Sequence, residues 1–318
     1  MSLDPSSSLN RYRGRLAPSP TGFLHVGHAR TFWRAFERAR DAAGTLVMRM
    51  EDLDPQRSRA VYADAAYEDL RWLGIEWQEG PGVGGPYGPY VQSRRGSFYL
   101  DAWRRLFESG RIYPCRCSRK DLEAALSAPH EGGAAAQAED DEPIYPGICR
   151  RFLDSAVRGR EFGDRAFDSP EALNWRFAVP DGEEIGFHDV NLGLQRFVAG
   201  RDFGDFLVWR RDGATASPST GSRPWGVPSY QLACVVDDAA MQISEVVRGA
   251  DLLKSTARQI LLNRALGYGD PKWFHCGLVV DSNGQRLAKR HDALSIRALR
   301  ERGLTPEEVR GSEGVPQA

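Results

Sequence analysis

Residues 16–32 read LAPSPTGFLHVGHARTF, with two prolines, two glycines and two histidines packed between an apolar start and an amphipathic continuation. Working outward, positions 13 to 18 predict a short strand stopped by Pro18 and Pro20. From Gly27 the text HARTFWRAFERARDAAG predicts a helix closed by Gly44, and TLVMRMED a second strand. Strand, helix and strand within about 40 residues make a right-handed parallel crossover, the opening unit of a doubly wound α/β fold.

The rest of the chain extends that reading. RAVYADAAYEDLRWLG, residues 59–74, carries Val61, Ala65, Ala66, Leu70 and Leu73 at helical spacing, and residues 93–110 form a second amphipathic helix. Residues 127–143, SAPHEGGAAAQAEDDEP, are acidic and poor in large apolar groups, and are expected to be a mobile loop. Positions 174–209 alternate as short strands, among them NWRFAV and DFLVW, which suggests a mainly β insertion. The stretch 214–229 is a Pro- and Gly-rich loop, CGLVV from Cys276 is strand-like, and the chain after about 303 reads as frayed. The expected organisation is a tail at 1–12, a first catalytic half at 13–110, an insertion at 111–200, a second half at 201–302 and a tail at 303–318.

Over 318 residues, 42 Lys and Arg balance 43 Asp and Glu, so contact with an acidic polymer must be local. No signal-peptide core or apolar run of membrane-spanning length is present, which points to a cytoplasmic protein without membrane contact. Five cysteines fit no disulfide framework. Cys234 and Cys276 read as buried small hydrophobes. Cys115, Cys117 and Cys149 cluster in sequence and would give a tetrahedral zinc ion three of its four ligands. Metal chemistry alone would choose His130 as the fourth.

His25 and His28 lie three apart across a helix start, where unpaired N–H groups and the helix dipole favour an anion. Gly22 and Gly27 allow close backbone approach, and the imidazoles can donate to phosphate oxygens as charge grows in an adenylyl-transfer transition state. Far downstream, LVVDSNGQRLAKRHDALS (278–295) presents Arg286, Lys289 and Arg290 after a tight SNG turn, cations able to neutralise a leaving pyrophosphate.

PSPTGFLHVGH resembles the HIGH signature of class I aminoacyl-tRNA synthetases, and RLAKR their KMSKS loop. RLAPSPTG, RMEDLDPQR, YEDLRWLGIEWQEGP, YVQSRRGSFYLDAWRRLFESGRIYPCRCS and VVDDAAMQISEVVRGADLL resemble the glutamyl-tRNA synthetase group, in order, over roughly residues 13–300. Only 28 residues follow Arg290, too few for that group's helical anticodon-binding region, so the chain is most similar to the truncated glutamyl-queuosine tRNA(Asp) synthetase family.

The resemblance implies a Rossmann-like, parallel-sheet catalytic domain with a zinc-bearing α+β insertion and no anticodon-binding domain. It implies ATP with Mg²⁺, L-glutamate and tRNA(Asp) as partners, and a monomer. Glutamate would be bound by Arg15, Ala17, Ser19, Glu51, Tyr230 and Arg248: two carboxylates and one ammonium ask for two cations and one anion. Without the resemblance, Glu51 would be read as pairing with Arg49 at a sheet edge and Arg248 as a surface arginine. ATP would be held by His25, Gly27, His28, Arg286 and Lys289, with His25, His28 and Lys289 catalytic, and the fourth zinc ligand would be Tyr145. Arg286 and Ala288 depart from KMSKS, and the segment 214–229 is longer than the family's. Three other readings fit part of the pattern: a conventional glutamyl-tRNA synthetase lacking its anticodon domain, a small-molecule adenylyltransferase, and a non-catalytic tRNA-binding module.

Overall fold

The chain begins with β1 (Arg13–Leu16), α1 (Val26–Asp41) and β2 (Thr45–Met48), and β1 pairs with β2 in parallel from Arg13↔Thr45 to Leu16↔Met48. The computed structural model describes residues 11–118, 121, 143–163, 167–170, 173–211, 226–278 and 295–311. Helix α1 buries Val26, Ala29, Phe32, Ala35 and Ala39, the three-and-four spacing that packs one face on the strands. Gly44 N–H helps to end the helix by donating to the Ala39 carbonyl at 2.8 Å, but a positive φ is not what calls for glycine there. The left-handed residue is Ala43 (φ 46°), while a Cβ on Gly44 would lie 2.5 Å from the Tyr12 carbonyl oxygen.

In place of the single parallel sheet expected, the described residues form the parallel β1–β2 pair, an antiparallel sheet and a mixed one. After α2 (Ala60–Trp72), α3 (Gly96–Glu108), β3 (Ile112–Cys115), α4 (Ser155–Phe162) and β4 (Asn174–Phe177), strands β5 (Glu184–Asp189) and β6 (Gly193–Val198) form an antiparallel hairpin. Strand β7 (Phe206–Arg210) and the short β8 (Val227–Pro228) complete an antiparallel sheet in the order β3-β4-β7-β8. Then come α5 (Tyr230–Ala240), β9 (Glu245–Gly249), α6 (Leu253–Leu266) and β10 (Lys272–Cys276). The other sheet runs β6-β5-β10-β9, parallel except at the hairpin, whose short turn forces antiparallel pairing. Ser244 N–H donates to the Arg13 carbonyl at 2.9 Å, setting the start of β9 beside β1. The chemistry described below collects at the carboxyl ends of these strands.

Two sequence expectations are corrected here. The strand expected to open at Cys276 closes there: Trp273 and His275 supply its buried alternate positions, and Cys276 is only half-buried. Residues 306–311, read as frayed, form α8 (Pro306–Gly311), with Val309 buried and the Arg310 guanidinium 3.9 Å from the Trp33 ring centroid on α1. Among the described residues no helix is long and apolar enough to cross a membrane.

Buried Asp69 on α2 faces Arg297 and Arg300 near α7 (Ile296–Glu301), and its Oδ2 has no hydrogen-bond partner. Burial, partly offset by those arginines, pushes its carboxyl from 3.8 up to about 6. The folded protein therefore holds this proton to higher pH than the unfolded chain, and the associated stability is present below about pH 4 and lost as pH rises through 6. Asp69→Asn is expected to raise the melting temperature by about 2–4 °C at pH 7.5 and by less at pH 4.5. Equal shifts at both values would contradict this.

Candidate active site and metal centre

Backbone pairing continues past the ends of β1 and β2. Arg49 N–H donates to the Leu16 carbonyl (2.8 Å) and Glu51 N–H to the Pro18 carbonyl (3.0 Å), which sets half-buried Ala17 and exposed Ser19 beside Arg49–Glu51. Arg15 is 5% exposed. Its Nη1 donates to the Val247 carbonyl on β9 at 2.8 Å, and its Nε, 3.6 Å from Asp238 Oδ1, is buried without a hydrogen-bond partner. Tyr230 opens α5, capped by Ser229 Oγ, and is 38% exposed. Its phenol is held well above its ordinary value, first by burial and then by the charges around it: Cys234 and Glu51 raise it, Arg248 and Arg15 lower it. The predicted glutamate residues thus converge on one place.

Arg49 and Arg248 are both buried there, but their surroundings differ. Arg49 donates to Glu51 Oε1 (2.9 Å) and Asp238 Oδ1 (2.6 Å), with Asp237 Oδ2 at 3.8 Å. The Arg49–Glu51 pair is real, but it lies in the interior rather than at a sheet edge. Burial raises the Glu51 carboxyl, against the opposing charges of Arg49 and Arg15. Arg248 is no surface residue either: Nη1 donates to Gln259 Oε1 (2.9 Å), Nη2 to Thr256 Oγ1 (2.7 Å) and Nε to His275 Nε2 (3.2 Å). Among the described residues no carboxylate lies within 4.0 Å of it.

The histidines are built into the start of α1. His25 is its N-cap, accepting from Gly27 N–H through Nδ1 at 3.1 Å, and His28 Nδ1 accepts from His25 N–H at 3.2 Å. The rings stack with centroids 3.8 Å apart. Because both Nδ1 atoms accept from backbone, the neutral rings carry their protons on Nε2, as donors. Two N–H groups expected to meet an anion are therefore taken by the imidazoles themselves. Ser295 forms a β-bridge with His25, and Ile296 N–H donates to the Leu24 carbonyl at 2.7 Å. The RLAKR segment, with Arg286 and Lys289, lies outside the described residues, as do His130 and most of 214–229.

The Sγ atoms of Cys115, Cys117 and Cys149 lie within 4.8 Å of one another, a set able to hold a metal ion. Tyr145 Oη sits on them, 3.6 Å from Cys115 Sγ and 3.3 Å from Cys117 Sγ, and accepts from Cys149 N–H at 2.8 Å. Hydrogen bonding between the thiols lowers Cys149 and raises Cys115, so one sulfur is inclined to ionise.

Residues 11–311 match the family described as tRNA synthetases class I (E and Q), catalytic domain. The chain belongs to that family. A Glutamyl-Q tRNA(Asp) synthetase from Symbiobacterium thermophilum is 48% identical over 94% of this chain and 84% of its own length. One from Nitratidesulfovibrio vulgaris is 44% identical with the same coverage. The crystal structure of a glutamate tRNA ligase from Elizabethkingia meningosepticum, in complex with its amino acid, superposes with a TM-score of 0.73 at 25% identity, over 95% of this chain and 61% of that one.

Within this class I synthetase domain, several polar residues of the site had no role assigned to them from the sequence. Asp237 and Asp238 hold Arg49 and Arg15, while Thr256, Gln259 and His275 hold Arg248. The adjacent acids in the otherwise apolar YQLACVVDDAA were the available sign of the first group, since buried charges require partners. Cys234 is buried as expected, yet its Sγ lies 3.6 Å from Glu51 Oε1 rather than in a purely apolar setting.

Proposed function

We propose that this domain activates L-glutamate with ATP and transfers the glutamyl group to the queuosine base of tRNA(Asp). The observation that carries this is that Arg15, Arg248 and Glu51 all act electrostatically on Tyr230, which sets two cations and an anion near one phenol, the charge types that a substrate with two carboxylates and one ammonium calls for. The choice of acceptor rests on the 44–48% identical relatives. A glutamate α-carboxylate oxygen attacks the α-phosphorus of ATP, the bond to pyrophosphate breaks, and glutamyl-adenylate forms. His25 and His28 donate Nε2–H to the phosphoryl oxygens, and Gly27 keeps the turn open to them. Mg²⁺ bound with ATP supplies charge neutralisation on the phosphates. Lys289 and Arg286 act on the leaving pyrophosphate. Lys289 lies six positions before Ser295, which bridges to His25, a backbone span of at most about 22 Å. A hydroxyl of the queuosine cyclopentenediol then attacks the acyl carbon and AMP leaves.

Glutamate-dependent pyrophosphate exchange followed by mapping of labelled glutamate on bulk tRNA tests the reading. Label in an anticodon fragment of tRNA(Asp) is expected. Label at a 3′ terminus would make the protein a conventional glutamyl-tRNA synthetase, and tRNA binding without exchange a non-catalytic module. Lys289→Ala is expected to slow exchange more than tenfold, a barrier increase of about 1.4 kcal/mol or more. An unchanged rate would remove Lys289 from the mechanism.

Zinc is the ion we assign to the cysteine cluster, with Tyr145 as fourth ligand. Tetrahedral Zn–S and Zn–O bonds place sulfurs about 3.8 Å apart and sulfur about 3.5 Å from oxygen. The Cys117–Cys149 separation of 3.6 Å and the Tyr145 separations of 3.3 and 3.6 Å match those edges. Purified protein should contain about one zinc per chain, and Cys149→Ser should lower both metal content and melting temperature. Metal content near zero with no loss of fold after chelation would sink the assignment.

A further inference from the structure

Arg248 is buried with no carboxylate beside it among the described residues, and the structure supplies its compensation through an intermediary. Asp189, at the end of β5, accepts from the amides of Asn191 (3.0 Å), Leu192 (2.8 Å) and His275 (3.1 Å), and from His275 Nδ1 at 2.7 Å. These bonds hold its carboxyl below the ordinary value although burial opposes them. His275 and Asp189 are both fully buried. An arginine Nε–H can only donate, so the His275 Nε2 that receives it carries no proton, and the imidazole proton resides on Nδ1, directed at Asp189. Burial and the Arg248 charge agree, lowering His275 to about 4 and keeping the ring neutral. Gln259 is also held in one orientation: its Nε2 donates to Gln231 Oε1 at 3.1 Å, leaving Oε1 to accept from Arg248.

We propose that Asp189 and His275, with Thr256, are positioning residues for Arg248: they aim its guanidinium at a substrate carboxylate while placing the compensating negative charge behind the ring, where it does not compete for the recognition face. Among the described residues, His275, Gln259 and Thr256 use three of the five guanidinium N–H groups, which leaves one on each Nη to form a fork. The contrast with Arg49, matched directly by Glu51 and Asp238, separates an arginine that serves the scaffold from one kept for a ligand. The inference rests on the reading of Arg248 as a glutamate ligand.

The test is steady-state pyrophosphate exchange with the full chain, varying glutamate and ATP separately. His275→Gln keeps an acceptor near the Nε2 position, His275→Asn keeps only the side facing Asp189, and His275→Phe keeps neither. Glutamate KM is expected to rise about 10- to 100-fold in the Asn and Phe variants, with ATP KM within about twofold, and to return to within about fivefold of wild type in the Gln variant. Thr256→Val, a change of one hydroxyl, is expected to raise glutamate KM about three- to tenfold, and with His275→Gln it decides the matter if the Phe variant does not fold. The proposal is overturned if glutamate KM does not move, if ATP KM rises and kcat falls alongside it, or if Gln does no better than Asn. Wild-type protein with no glutamate-dependent exchange overturns the functional reading and this inference with it, whereas exchange with unaltered glutamate KM in the variants overturns this inference alone.

Discussion

Arg248→Lys is expected to lower glutamate-dependent pyrophosphate exchange by roughly 10²- to 10³-fold, most of it through glutamate KM, while the protein stays folded. Lysine keeps the charge but loses the planar fork, and a single ammonium cannot satisfy His275, Gln259 and Thr256 and also grip a carboxylate at two points. Losing a buried, hydrogen-bonded charge contact to a ligand costs about 2–5 kcal/mol, and the quoted range lies within it. Kinetics varying glutamate, with far-ultraviolet circular dichroism as the control for folding, make the check. A loss below about tenfold would mean that Arg248 does not bear on the substrate.

The second large effect concerns stability. Arg49→Leu removes the one guanidinium shared by Glu51 and Asp238, with Asp237 also close by, in a region where Arg49 itself is wholly buried. Asp237 keeps Arg95 (2.6 Å), Gln92 (2.8 Å) and Tyr99 (2.9 Å), whereas Glu51 and Asp238 lose their nearest cation. Removing one member of a buried ion pair typically costs about 3–5 kcal/mol because the remaining charge stays out of water. Urea unfolding should show that loss at pH 7.5, and a smaller one where carboxylates protonate. A change under about 1 kcal/mol would show that the network is dispensable.

The opening crossover was legible because its punctuation is local: Pro18, Pro20 and a helical apolar stripe lie within a few residues of what they determine. The alternation of Glu184–Asp189 is equally local, but its junction with β10 rests on a pairing of Trp273 with Asp189, 84 positions away, which no nearby residue announces. Mixed rather than parallel pairing was therefore out of reach. At the candidate site, the resemblance pointed to Arg15, Ala17, Ser19, Glu51, Tyr230 and Arg248, and the charged members of that set, Arg15, Glu51 and Arg248, act together on Tyr230. Their supports were hidden for the same reason as the sheet junction. His275 lies in a short apolar strand and Asp189 at a hairpin turn, and each gains meaning only beside the other. Gly44 taught the opposite lesson, since the expected glycine is present but answers to crowding by Tyr12 rather than to backbone handedness.

The β-bridge between Ser295 and His25, with the Ile296 N–H bond to the Leu24 carbonyl beside it, ties the first turn of α1 to α7. Positions 25 and 295 lie 270 apart in the chain, so a local opening at Ser295 would also unfasten the start of α1, where His25 is the cap.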